Sequence, residues 1–257
     1  MIRLEAISVD FGGLRAVDNA SFEIAAGRIT GLIGPNGAGK TTAFNVIAGG
    51  VAPSSGRVLL GGEDITALKP HQRAARGLAR TFQIPHEFSR LTVLENLMAA
   101  AASPIGESVF NVMFRRNMFE AETRNAYRRA RGVIGLLELE RVEDEKAGKL
   151  SGGQKKLVEL GRALMGDPKI ILLDEIGAGI NRTLLAKLSD KIKLLNRERG
   201  LTFCLIEHDL DYVSKLCDHV VVMAQGAVLT EGTVQEVRRD ERVIEAYFGG
   251  GKYEARA

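Results

Sequence analysis

Apolar and polar positions alternate over Ile2-Arg3-Leu4-Glu5-Ala6-Ile7, the period of a strand with one covered face. Short strands are expected from there to residue 33. The last of them, Arg28-Ile29-Thr30-Gly31-Leu32-Ile33, is apolar nearly throughout and reads as fully buried. The period then changes: Thr41-Thr42-Ala43-Phe44-Asn45-Val46-Ile47-Ala48 predicts a helix that stops at Gly49-Gly50, and Arg57 to Gly62 one arm of a hairpin with a glycine turn. From about residue 86 to 149 the pattern is helical. Lys155 to Met165 continues it, with Leu157, Val158, Leu160, Ala163 and Leu164 at helical spacing. Ile170 to Leu173 is a continuous apolar run suited to a central strand of a parallel sheet. From residue 168 strands alternate with helices, one helix beginning near Arg182 behind Asn181 as its cap. A short amphipathic helix closes over Val243 to Gly249, ahead of a loose polar terminus. This order predicts an α/β fold, with no internal repeat or low-complexity tract.

The chemistry sits at the joints of that pattern. Between the strand ending at Ile33 and the helix from Thr41 stands Gly34-Pro35-Asn36-Gly37-Ala38-Gly39-Lys40-Thr41, with Thr42 next. Glycines let such a loop wrap closely, so that successive backbone N–H groups point inward at phosphate oxygens. The helix N-terminus adds a favourable field for an anion. Lys40 supplies a point charge for the outer phosphates, and the Thr41 hydroxyl is a ligand for Mg²⁺. The full spacing and the strand-turn-helix context weigh strongly against an incidental glycine turn. At the end of the run Ile170 to Leu173, Asp174 stands where ligands bind in open α/β sheets and would hold the water shell of Mg²⁺. Glu175 beside it is placed to polarise an attacking water. Two solvated acids at a strand end are the bland alternative, disfavoured by the apolar run before them.

Leu150-Ser151-Gly152-Gly153-Gln154 opens the helix through Lys155 to Met165. Its glycines leave N–H groups exposed, and Ser151 can cap the helix or offer its hydroxyl to a ligand. As a cap alone the segment is unremarkable; its place just upstream of the Asp174 strand singles it out.

Taken together, these segments resemble the ATP-binding subunit of an ABC transporter, and the resemblance covers nearly the whole chain. It implies a P-loop NTPase core of ABC type with an N-terminal antiparallel β-subdomain and an inserted α-helical subdomain. The chain is then a single ATPase domain, 1–257, with the helical insertion at about 86–165 and a tail at 249–257. It also implies that two cassettes pair head to tail around ATP and Mg²⁺. Lys40, Thr41, Asp174 and Glu175 of one would face Ser151, Gly152, Gly153 and Gln154 of the other. Gln83, in Arg80-Thr81-Phe82-Gln83, matches the glutamine that reaches the metal and senses the membrane partner. His208, in Cys204-Leu205-Ile206-Glu207-His208, matches the histidine that contacts the γ-phosphate, and Phe11 the aromatic on which adenine stacks. The chain departs from the usual pattern at Ile176, where proline commonly follows the glutamate. It departs again at Ala178-Gly179-Ile180-Asn181 and Arg182, where aspartate and proline are frequent. Neither change removes a charge from the proposed chemistry.

Phe11-Gly12-Gly13-Leu14-Arg15-Ala16-Val17, Phe110-Asn111, Glu236-Val237 and Val243 to Tyr247 look like importer subunits for branched-chain amino acids. Urea-import and lipopolysaccharide-export ATPases are similar in these stretches. The partners implied are integral-membrane permease subunits, a second cassette and, indirectly, a substrate-binding protein, at the cytoplasmic face of the cell membrane. A soluble ABC ATPase acting on ribosomes or DNA usually carries two cassettes or a long coiled coil, and this chain has neither. A P-loop kinase would leave the pentapeptide at Ser151 idle.

Composition narrows the rest. In 257 residues, 35 lysines and arginines stand against 32 acids, an excess of 35 − 32 = 3, too balanced to point to a nucleic-acid partner. Cys204, in an apolar strand, and Cys217, near a helix end, suggest buried thiols in a reducing compartment. The N-terminus enters a strand directly, so no signal peptide is expected, and no apolar run nears the roughly 18–20 residues that span a bilayer. Arg115, Arg116, Arg124, Arg128, Arg129 and Arg131, set against Glu120 and Glu122, read as a solvated helical face.

Overall fold

A computed structural model describes residues 1–81, 87–101, 116–177 and 179–248. Strands β1 (Ile2–Phe11) and β2 (Leu14–Ile24) pair antiparallel across a tight turn at Gly12-Gly13. The alternation in β1 slips: Ile2 and Leu4 share one face, and a strict period of two would turn Ile7 and Val9 outward. A bulge at Ala6, where φ is +51°, restores the phase, and all four side chains are buried. β3 (Ile29–Ile33) leads to helix α1 (Lys40–Ala48). β4 (Ser55–Leu60) and β5 (Glu63–Asp64) form the hairpin expected around Gly61-Gly62, and β4 pairs with β1. The first sheet has the order β2-β1-β4-β5 and is antiparallel throughout.

Helix α2 (Pro70–Ala74) and β6 (Leu78–Arg80) follow, then α3 (Val93–Ala99), α4 (Arg116–Leu137) and α5 (Gly152–Met165). The remaining elements are β7 (Ile170–Asp174), α6 (Arg182–Arg199), β8 (Thr202–Ile206), α7 (Leu210–Leu216), β9 (His219–Ala224), β10 (Ala227–Gly232), α8 (Val234–Arg239) and α9 (Glu241–Phe248). The second sheet runs β10-β9-β3-β8-β7-β6, parallel except for the edge strand β10.

Both faces of that sheet are covered, which is why β3, β7 and β8 carry five buried residues each. Ile170 and Leu172 of β7 face a core shared with α1 and the antiparallel sheet, whereas Ile171 and Leu173 face a core shared with α3 to α6. α1 is thus enclosed, with Ala43, Phe44, Val46 and Ile47 fully buried. Its C-terminal turn is held by Arg73, a buried side chain whose guanidinium donates to the carbonyls of Val46 at 2.6 Å and Ile47 at 2.7 Å. It also donates to Leu68 at 2.9 Å and Thr66 at 2.8 Å. A cation at a helix C-terminus complements both the dipole and the orphan carbonyls.

α3, α4 and α5 pack closely where Gly161 allows it: a Cβ there would lie 2.8 Å from Leu97 and 3.1 Å from Leu137. α4 exposes Arg124, Arg128 and Arg131 as a solvated face, though Arg131 pairs with Glu143, and Arg129 donates to the Met165 carbonyl at 3.0 Å. Arg115 lies outside the described residues. Cys204 is buried as expected, while Cys217 keeps part of its residue surface exposed at the end of α7. No helix among the described residues is long and apolar enough to cross a membrane.

Candidate active site

Because β3, β8 and β7 are adjacent and parallel, their carboxyl ends lie side by side. From these ends come the glycine loop after Ile33, the Asp174-Glu175 pair and the Glu207-His208 pair. The sheet therefore gathers residues that are 34 to 208 positions along the chain into one rim.

The loop is held from beneath. Gly34 has φ of +147°, and a Cβ there would sit 2.0 Å from the Met223 carbonyl oxygen. At Gly39 (φ +93°) a Cβ would meet the Ala16 carbonyl at 2.5 Å, so only glycine fits either position. The Ala38 carbonyl accepts from Gly226 N–H at 3.2 Å, and Gly226 in turn accepts from Asp18 N–H at 2.8 Å. The loop is thereby wedged between the start of β2 and the β9–β10 turn. Pro35, Asn36 and Gly37 form its outer curve, with Asn36 and Gly37 exposed; Thr41 is exposed and Thr42 half-buried in the first turn of α1. Lys40 is buried, and its Nζ donates to the carbonyls of Gly34 at 2.7 Å and Pro35 at 2.8 Å. Burial pushes the ammonium below its ordinary pKa, partly offset by the charges of Glu175 and Asp174.

Opposite the loop, Asp174 is buried at the end of β7, and its backbone N–H donates to Thr81 Oγ1 at 3.4 Å. Glu175 follows with φ of +47°, a left-handed conformation that costs a β-carbon-bearing residue about 1 kcal/mol. Its N–H donates to the Ile206 carbonyl at 3.1 Å, which fixes the reversal, and its Oε1 lies 2.7 Å from His208 Nε2. With Glu175 ionised, that contact requires the imidazole proton on Nε2.

Ser151 caps α5 as the sequence suggested. Its hydroxyl donates to Gln154 Oε1 at 2.9 Å, and the Gln154 side chain accepts from Ser151 N–H at 2.9 Å. Ser151 and Gly152 are exposed, whereas Gly153 is buried against α6, where a Cβ would lie 1.8 Å from Leu184. The segment's two exposed residues stand at the start of α5, and a Cβ at Gly152 would lie 3.9 Å from the Gly179 carbonyl in the loop that follows β7. Phe11 is 50% exposed at the end of β1, on the hairpin whose second strand abuts the glycine loop. Gln83 lies outside the described residues. Asn181 caps α6, accepting from Leu184 N–H at 2.9 Å.

Three side chains near the rim were not singled out from the sequence. Arg80 forms an ion pair with Asp174 at 3.0 Å. Glu207 is buried and accepts from Gly177 N–H at 2.8 Å; burial raises its carboxyl above the usual range. Lys156, in the first turns of α5, is buried too. Burial lowers its ammonium, partly offset by Glu159, Asp174, Glu207 and Glu175. A charged residue within or directly after an apolar run was the available signal for Arg80 and Glu207.

Residues 17–178 match the family model described as ABC transporter, and residues 227–253 match one described as Branched-chain amino acid ATP-binding cassette transporter. Two archaeal proteins named Probable branched-chain amino acid transport ATP-binding protein LivG are similar along nearly their whole length. That of Methanocaldococcus jannaschii is 40% identical, covering 97% of each chain, and that of Archaeoglobus fulgidus 37%, covering 97% of this chain and 95% of the other. The High-affinity branched-chain amino acid transport ATP-binding protein LivG of Escherichia coli K12 is 34% identical over 97% of this chain and 98% of its own. Among solved structures, a nucleotide-free ATP-binding cassette from an ABC transporter is 39% identical with a TM-score of 0.85, covering 97% of this chain and 99% of the other. A dimeric bacterial ABC transporter cassette is 25% identical with a TM-score of 0.75, covering 91% and 99%.

Proposed function

The chain belongs to the ABC transporter family, and from that premise we propose that it is the ATP-hydrolysing subunit of an importer for branched-chain amino acids. The observation that carries the cargo assignment is the match of residues 227–253 to the branched-chain cassette family, joined to full-length similarity with proteins named for that transport.

In this reading the chain is one ATPase domain, 1–257, with a helical insertion at about 86–165 and a tail at 249–257. ATP sits with its phosphates in Gly34 to Thr42 and its adenine on Phe11. Glu175 polarises the attacking water, and the Nε2–H of His208, which meets Glu175 in this structure, turns to donate to the γ-phosphate when ATP is bound. Gln83 is assigned a place at the metal and in sensing the membrane subunit. Ser151, Gly152, Gly153 and Gln154 act on the nucleotide of a second cassette, identical or paralogous, paired head to tail. The exposure of Ser151 and Gly152 at the N-terminus of α5 supports that role.

The donors suit Mg²⁺. Among the described residues no group of three or more His, Cys, Asp or Glu side chains is arranged to hold a metal alone. Asp174 and the Thr41 hydroxyl supply hard oxygen donors of the kind Mg²⁺ uses together with substrate phosphates. The ion would neutralise charge on the transferring phosphate; Lys40 and the loop N–H groups bind and orient the same group.

A groove of about 500 Å³ lies between α1 and α2 on one side and the helical insertion on the other. It is lined by small and apolar residues such as Ala48, Ala74, Ala79, Ala100 and Ala163. It supports docking of a permease subunit at the cytoplasmic face of the membrane, with a substrate-binding protein engaged only through that permease. Uptake of labelled leucine, isoleucine and valine tests the assignment in cells whose only copy is wild type or Glu175→Gln. We expect the variant to lose all three. Uptake of all three at wild-type rates would overturn the cargo assignment.

A further inference from the structure

Asp174 already has a cation. Its side chain is only 6% exposed, and Arg80, 12% exposed, brings Nη2 to 3.0 Å from Asp174 Oδ2. The other arm of the guanidinium, Nη1, donates to Asn45 Oδ1 at 2.5 Å. Asn45 stands four residues after Thr41 on α1, one helical turn along the same face. One side chain at the end of β6 therefore ties the helix that carries Thr41 to the strand that carries Asp174. The next residue adds a second clasp, Thr81 Oγ1 accepting from Asp174 N–H at 3.4 Å. Lys40 contributes to Asp174 only at a distance, because its ammonium is bonded to the loop carbonyls of Gly34 and Pro35.

A carboxylate withdrawn from water needs a paired cation or several donors to stay ionised in place. We propose that Arg80 is a positioning residue, the resident counter-cation of Asp174 that fixes one carboxylate oxygen and the spacing between α1 and β7. Only a planar two-armed cation can hold an amide oxygen and a carboxylate in one geometry, which sets Arg80 apart from a lysine. The second half of the inference rests on the proposed reading of Asp174 as the metal's carboxylate. Arg80 and the metal would then draw on the same negative charge. Arg80 would keep the site ordered without metal and keep metal affinity moderate.

Two measurements on the full chain test this. The first is thermal unfolding of the metal- and nucleotide-free protein as wild type, Arg80→Met, Asp174→Asn and the double variant. Arg80→Met should lower the midpoint by about 5 °C or more, and Asp174→Asn should cancel most of that loss, since no charge is left unpaired. Arg80→Lys should recover part of it. Additive losses in the double variant would overturn the pairing role. Should Arg80→Met not accumulate as folded protein, a folded double variant supports the proposal and an unfolded one overturns it. The second measurement is Mn²⁺ binding in the presence of ADP, followed by electron paramagnetic resonance. Arg80→Met should bind Mn²⁺ tighter by about threefold to tenfold, and unchanged or weaker binding would overturn the competition. A Mn²⁺ affinity indifferent to Asp174→Asn would sink the metal reading of Asp174 and leave the ion pair to be judged by the thermal cycle.

Discussion

His208 Nε2 and Glu175 Oε1 are 2.7 Å apart, although the residues are separated by 33 positions and lie beyond the ends of different strands. The contact exists because β7 and β8 are parallel neighbours in register, Asp174 opposite Ile206, so the residues just after each strand emerge together. Glu175 then adopts a left-handed backbone, tied down by Ile206, which brings its carboxylate to the imidazole. A strained backbone that the surrounding structure holds in place is the kind of feature that clusters at functional sites.

Glu175→Gln keeps the size of the side chain and its hydrogen bond to His208 while removing the carboxylate proposed to polarise the attacking water. Hydrolysis should fall on the order of 10²–10³-fold, the loss seen when one preorganised catalytic group is removed, with ATP affinity retained. An ATP-bound dimer should accumulate and be visible by size-exclusion chromatography. A monomer that turns over at the wild-type rate would remove Glu175 from the proposed role.

Lys40→Ala removes the ammonium that binds the Gly34 and Pro35 carbonyls. Two consequences are expected: weaker nucleotide binding, by about tenfold or more, and a loop freer to change shape. Isothermal titration with ATP reads the first. Equal affinity in the variant would contradict the phosphate-binding reading of the loop.

Much of this fold was legible because its signals are local. A buried strand, a glycine loop and a helix follow one another in Arg28 to Ala48, and the run Ile170 to Asp174 states a two-faced central strand without help from the rest. Ser151 and Asn181 were readable as caps, since capping needs only the residue and the N–H two or three positions on. What local pattern cannot express is partnership across the sheet. In the sequence Arg80 stands only as a polar residue three positions before Gln83, and only the β6–β7 pairing brings it to Asp174. Glu207 reads as an acid beside a histidine, and only the fold withdraws it from water and gives it Gly177. The bulge at Ala6 escaped for a related reason: alternation over Ile2 to Glu5 looks regular until the partner strand's register is known.

Ser151→Arg places a bulky cation at an exposed helix start and removes a cap contributing about 1 kcal/mol. The folded monomer should persist and bind ATP as the wild type does. ATP-driven pairing in a Glu175→Gln background should disappear, as followed by light scattering. Dimer formation at wild-type ATP concentrations would show that the pentapeptide does not reach a partner's nucleotide.

Arg73→Met takes the guanidinium away from four backbone carbonyls: Val46 keeps the N–H of Gly49 at 3.1 Å, whereas buried Ile47 and half-buried Leu68 and Thr66 lose the donor described for them. Orphaned buried acceptors and the lost cap of α1 together should cost about 3 kcal/mol. In urea the midpoint should fall without a change of slope. A variant as stable as the wild type would mean that water replaces the guanidinium, and that α1 is held by its apolar faces alone.

Stability should also depend on Glu207 in a definite direction. Burial raises its carboxyl above the ordinary glutamate value, and the N–H groups of Gly177 and His208 and the imidazole offset this only in part. A carboxyl raised in the fold holds its proton more tightly there than in the unfolded chain. Its contribution to stability is therefore fully present below the unfolded pKa and is lost as pH rises through the folded one. Glu207→Gln replaces it with an amide that still accepts from Gly177 N–H but does not titrate. Near pH 4 the variant and the wild type should unfold at similar urea concentrations, and the variant should gain on the wild type as pH rises toward about 8. The opposite slope would mean that Glu207 is ionised at a net advantage in the fold, through a cation such as Lys156. The buried carboxyl would then count as half of a salt bridge, and Gly177 would not be its main partner.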